Sequence, residues 1–167
     1  MLLNLFNLFG HYFWVISIVV SLQVFWQSGA VRERCKSDVE FAIDDSKVRW
    51  KLFLWMCAPW FAMGIGQRFG GVPTVWHFLK PGDGNPWVAL FFLSVFGCWL
   101  LAAYWVYLRD GANAIVEHQL IRINGLTGQV KLTPNKVKLV VALMLIGGIA
   151  AALTMFSNHM VVPIGID

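Results

Sequence analysis

Three stretches of this chain contain no aspartate, glutamate, lysine or arginine: Met1–Val31, Trp87–Leu108 and Leu139–Ile166. A helix rises about 1.5 Å per residue, so about 20 apolar residues cross a hydrocarbon core of about 30 Å. Each of the three is long enough. The same scarcity of charge excludes a water-solvated globule. Of 167 residues, 58% are hydrophobic and 13% charged, where a soluble domain carries about 25% charged.

The expected fold class is an all-α membrane protein, a four-transmembrane-helix bundle with short loops forming one integral membrane domain over 1–167. The spans expected are about 5–27, 50–67, 87–108 and 138–156. The second is short, and Lys51 and Arg68 would snorkel from its ends. Pro59 near its middle removes a backbone donor, a defect that neighbouring helices accommodate in lipid. Basic residues crowd the connections 28–49 and 109–137, while Arg68 and Lys80 are the only lysines or arginines in 68–86. Positive charge marks the cytoplasmic side. The first two connections are therefore expected in the cytoplasm, and 68–86 and both termini outside. The net charge of +4 is explained by this flanking and by anionic headgroups, with no nucleic-acid partner implied.

Ser28-Gly29-Ala30 looks like a cleavage site, but no positive region precedes the first apolar run, so an uncleaved first helix is expected. Val39, Ile43 and Val48 have partly helical spacing, which predicts a short surface helix in 28–49. In 109–137, Leu120–Ile123 and Gln129–Leu132 alternate around Asn124-Gly125-Leu126-Thr127-Gly128, a candidate cytoplasmic β-hairpin.

Helices in lipid associate through small residues that let backbones approach. Such residues recur at i, i+4 in the second helix (Ala58, Ala62, Gly66), the third (Ser94, Cys98, Ala102) and the fourth (Gly147 with Ala151, Gly148 with Ala152). Packing within the bundle explains them; the sharper alternative is that one face, the fourth helix first, docks a partner or a second copy. Trp26, Trp50, Trp87 and Trp105 fall where aromatic rings anchor helices at the membrane interface.

Catalytic chemistry does not announce itself. Every Asp and Glu falls in a connection or at the C-terminal end, against ion-coupled transport, which places carboxylates within the membrane. Gly64–Gly70 has three glycines without the GxGxxG spacing, and ends a helix where that motif starts one. The cysteines lack zinc or CxxC spacing; Cys35, beside Arg34 and Lys36, is the thiol whose pKa basic neighbours would lower. His11, His77 and His159 fall near the expected outer face. They are weak candidates for a haem or metal, interfacial histidines satisfied by water being commoner. No catalytic residue, cofactor or metal is assigned. The expected function is a non-enzymatic accessory or interaction subunit of a larger assembly in a bacterial inner membrane, its partners being the lipid bilayer and other membrane proteins or itself. An oligomeric channel or uncoupled transporter, and an exclusion- or immunity-type membrane protein, are the alternatives.

Overall fold

A computed structural model describes residues 2–121, 124–125, 128–129 and 132–157. Among these the chain forms α1 (Leu2–Ser21) with a 3-10 turn (Leu22–Phe25), α2 (Gly29–Ser37), α3 (Val39–Phe69), two 3-10 turns (Val75–Leu79 and Pro81–Asp83), α4 (Pro86–Leu108), α5 (Gly111–Glu117) and α6 (Pro134–Ser157). Three stretches are long and apolar enough to cross a membrane: Leu8–Phe25, Pro86–Leu108 and Pro134–Ser157.

The expected second span, 50–67, is not among those three. It is the later part of α3, a 31-residue helix with Pro59 inside it. Sixteen residues separate Lys51 from Arg68, roughly 24 Å of helix. They include Trp55, Pro59, Trp60, Gly64 and Gly66, which dilute the apolarity.

The expected loop 28–49 is largely helical. Ser28 caps α2 by accepting from the Val31 N–H at 3.1 Å, and Asp38 caps α3 by accepting from Phe41 N–H at 2.9 Å. A side-chain oxygen there satisfies a donor that has no partner within the helix. The surface helix predicted from Val39 and Ile43 is thus the start of α3, and its buried face is a different one. Val39 and Ile43 are exposed, while Phe41, Asp45 and Arg49 are buried.

Asn124–Gly125 (β1) pairs antiparallel with Gly128–Gln129 (β2), Asn124 opposite Gln129. The pairing covers two residues on each side; the longer arms expected for the hairpin fall partly outside the described residues.

The chain divides into two compact units: Met1–Ser21, Met56–Cys98 and Gly147–Asp167 (in their described parts), and Leu22–Trp55 with Trp99–Ile146. The first is built on aromatic rings. Phe78, Phe91 and Phe92 are buried with Met63, Val72, Val75 and Val88, and Trp14, Trp60, Trp76 and Trp87 pack around them. Glycine makes room for the rings. A Cβ on Gly64 would lie 2.8 Å from the Trp14 ring, and one on Gly66 would lie 2.9 Å from Phe78. At the end of α3, Gly71 takes φ +66° and the N–H of Val72 returns to Gly66 O at 3.2 Å. A left-handed residue just past a helix end favours glycine.

The second unit buries Trp105, Val106, Ala112, Ile115 and Val137, with Val48, Leu52, Trp55 and Val141 against them. Trp55 and Trp105 meet edge to face at 5.8 Å. The Lys51 ammonium sits 4.7 Å from the Trp55 ring and 5.3 Å from Trp105, a cation–π arrangement that shelters the charge.

Gly64→Val tests the aromatic packing. Overfilling a packed site costs about 1–3 kcal/mol, so the variant is expected to melt at lower temperature in detergent; an unchanged melting curve would contradict the Trp14 contact.

Candidate functional site

The second unit holds a cluster of charge with almost no solvent access. On α3, Phe41, Asp45 and Arg49 follow one another at i, i+4, which puts them on one face. Asp45 is 0%, Arg49 2% and His118 2% exposed. Arg49 Nε donates to Asp45 Oδ2 at 2.7 Å. Its two terminal nitrogens donate to main-chain carbonyls, Nη1 to Val24 and Nη2 to His118 at 2.8 Å. Gln27 Nε2 donates to the same Asp45 oxygen at 2.6 Å. The His118 ring places Nδ1 3.0 Å from Asp45 Oδ1 and Nε2 3.1 Å from Asp44 Oδ2. Ionised carboxylates only accept, so with both ionised the two contacts are complete only when each ring nitrogen carries a proton.

Above the imidazole lies a stack. The Phe41 ring is parallel to His118 at 4.9 Å, and the Arg34 guanidinium lies 3.8 Å from the Phe41 ring centroid, close enough to Glu117 for an ion pair at 3.1 Å. The turn after α1, α2, α3 and the end of α5 are thereby joined through one polar centre.

Burial alone pushes the Asp45 carboxyl upward. Hydrogen bonds from Arg49 and Gln27, the Arg49 charge and the His118 contact outweigh it, and the net direction is below the ordinary 3.8. The Cys35 thiol goes the other way from the sequence expectation. Burial raises it first and Asp45 adds to that, against the lowering by Arg49 and Arg34. A thiol held protonated is a poor nucleophile, and the Asp45 oxygens are already occupied by Arg49, Gln27 and His118. This geometry suits a structural hub rather than an acid–base or nucleophilic centre.

The sequence carried a signal for the hub in the Asp45/Arg49 spacing. What it did not carry was the arrival of His118 from 69 residues beyond Arg49.

The first unit contains a cavity of about 440 Å³ lined by His11, Tyr12 and Trp14 of α1, Gln67 and Arg68 of α3, and the Gly71–Pro73 turn. Gln67 Nε2 donates to Gly10 O at 3.1 Å, while its Oε1 is buried with no hydrogen-bond partner among the described residues.

Of the histidine candidates, His11 lines this cavity, His77 Nδ1 lies 3.1 Å from Thr74 Oγ1 within the 3-10 turn, and His159 lies outside the described residues. Among those residues no trio of His, Cys, Asp or Glu is grouped to hold a metal. Of the small residues, Ala62, Gly66 and Ala152 are buried, and Ala58, Ser94, Cys98, Ala102 and Gly148 are partly so. Gly147 and Ala151 are exposed, and a Cβ on Gly147 would meet nothing within 4 Å. Of the tryptophans, Trp26 is 75% and Trp50 53% exposed, whereas Trp105 is 8% exposed in the second core and Trp87 packs on the first.

No protein-family model, curated protein or solved structure matches the chain.

Removing the carboxylate of Asp45 strands a buried guanidinium. Asp45→Ala is expected to lower stability by about 3–5 kcal/mol, and pairing it with Arg49→Met to restore part of the loss. Because the folded carboxyl titrates below its unfolded value of 3.8, its stabilisation is present above pH 3.8 and is lost as pH falls through the folded value. Acid unfolding followed by circular dichroism should show that loss in the parent chain and not in Asp45→Asn.

Proposed function

We propose that the chain is a non-enzymatic polytopic membrane protein, an accessory or interaction subunit of a larger assembly in a bacterial inner membrane. In this reading α3 supplies a fourth crossing through 50–67, the basic connections 28–49 and 109–137 lie in the cytoplasm, the second with a small hairpin, and both termini lie outside.

The observation that carries the proposal is α6. It runs 24 residues, long and apolar enough to cross a membrane, yet only 6% of it is buried within the protein. Leu139, Leu143, Met144, Ile146, Ile149, Leu153 and Phe156 are all exposed. A helix apolar on all sides is solvated by lipid or by other helices. Gly147 and Ala151, one turn apart and open, form the surface where another helix could come close. The saturated hub supports the same reading, since it leaves the second unit's buried charges without a reactive group.

Affinity purification from native membranes after crosslinking tests this. The parent chain is expected to bring down a membrane protein or a second copy, and Gly147→Leu with Ala151→Leu to reduce that recovery about tenfold, as loss of 1–2 kcal/mol of helix packing would. A parent chain that purifies as a lone monomer overturns the proposal.

A further inference from the structure

We infer that His118 is a proton switch for the surface of α3: the doubly protonated ring holds Asp44 and Asp45 together, and loss of one proton in the neutral pH range releases Asp44 to solvent while Asp45 stays bound. The inference lies wholly within the second unit and does not depend on how α6 is solvated.

The charges around the ring favour a cation. From α3 it meets Asp44 and Asp45, with Arg49 bonded to Asp45. From α2, Arg34 lies 3.8 Å from the centroid of Phe41, the ring stacked on the imidazole. Glu117, the last residue of α5, pairs with that guanidinium at 3.1 Å, so the two cancel. Burial first and Asp45 second raise the Cys35 thiol of α2, which stays neutral. What remains is two carboxylates against one guanidinium, one negative charge in excess beside a ring that is 2% exposed. An imidazolium removes the excess, and buried charge without a counter-charge is strongly destabilising. The geometry agrees, because both ring nitrogens face carboxylate oxygens, at 3.0 and 3.1 Å, and an ionised carboxylate only accepts.

The two carboxylates differ in their access to water. Asp45 is 0% exposed and its Oδ2 already accepts from Arg49 and Gln27. The Asp44 side chain is 63% exposed. When the ring loses a proton, one nitrogen turns a lone pair on a carboxylate, and that contact becomes repulsive. Asp45 has no water to turn to, so the proton on Nδ1 stays. Nε2 gives up its proton, and Asp44 swings into solvent. The ring does not follow it, because Arg49 Nη2 holds the His118 carbonyl at 2.8 Å and the imidazole lies flat on Phe41. The neutral ring is therefore the Nδ1–H form, opposite to the Nε2–H form that free histidine favours. Imidazole is the side chain that titrates around neutral pH, so Asp44 is held on the acid side and free on the basic side. The exposed face of α3 that carries Val39, Glu40 and Ile43 thereby gains a free carboxylate one turn from Glu40, a pair of like charges at i, i+4.

Nitrogen NMR of the full chain, labelled at histidine and held in mild detergent, reads the proton directly, with the His118 signals assigned by their absence in His118→Gln. Over a titration from about pH 5.5 to about pH 8.5, both ring nitrogens are expected to carry protons at the acid end and Nδ1 alone at the basic end. Asp44→Asn, at an exposed position, should lower the ring's affinity for the second proton about tenfold, as removal of one contacting carboxylate does. The tautomer is seen in the parent chain, so the result does not hang on a variant that folds. A ring already neutral at the acid end, one still doubly protonated at the basic end, a neutral ring of the Nε2–H form, or a titration that Asp44→Asn leaves unchanged would each overturn the switch.

Discussion

A guanidinium shut away from water must have its donors bonded, or the structure that encloses it loses several kcal/mol. Arg49 meets that demand with one carboxylate and two main-chain carbonyls. Its partners come from α3 itself, the turn after α1 and the residue that ends α5. The short segments of the second unit have little apolar area of their own, and α5 has only seven residues. They are held by the burial of Ala112 and Ile115 in the second core together with the bonds that Arg49, Asp45 and His118 make between segments. The stack of Arg34, Phe41 and His118 adds a further layer that fixes the ring plane of the imidazole.

The first unit is held by different means. Rings fill notches left by glycine, and edge-to-face pairs such as Phe13 with Trp60 at 5.5 Å and Phe78 with Phe91 at 5.3 Å give direction to contacts that are otherwise non-directional. Such packing suits surroundings where burial of apolar area is no longer a driving force and close fit has to substitute for it. The polar exceptions are few; one is Gln67, whose Oε1 is buried with no hydrogen-bond partner among the described residues.

Much of the helical framework could be read from charge-free length alone. α4 and α6 fall within a few residues of the expected spans because the stretches are uninterrupted and the turn residues before Pro86 and Pro134 are plain. The region 28–49 was harder. Its charges suggested a solvated loop, yet Ser28 and Asp38 cap two helices there and the Asp45/Arg49 pair is internal. Periodicity pointed to Val39 and Ile43, which are exposed; the buried face is partly polar, and a search for apolar spacing passes over it. The stretch 50–67, expected as a span, does not stand among the three that are long and apolar enough, because tryptophan, proline and glycine dilute its apolarity. The cavity was out of reach: it joins His11 to Gln67 and Arg68 across more than fifty positions. His118 met its carboxylates across a similar distance, and no local pattern encodes either meeting.

The bonds of Arg49 also divide the chain by how freely it can drift. Two of its acceptors are main-chain oxygens, at Val24 and His118, and a peptide carbonyl is the same whatever side chain hangs beside it. Position 24 can therefore exchange one apolar residue for another without altering the bond. Positions 45 and 49 have no such freedom, because each is the other's counter-charge in a place water does not reach. Change there has to be concerted, with both charges lost together for residues of similar volume.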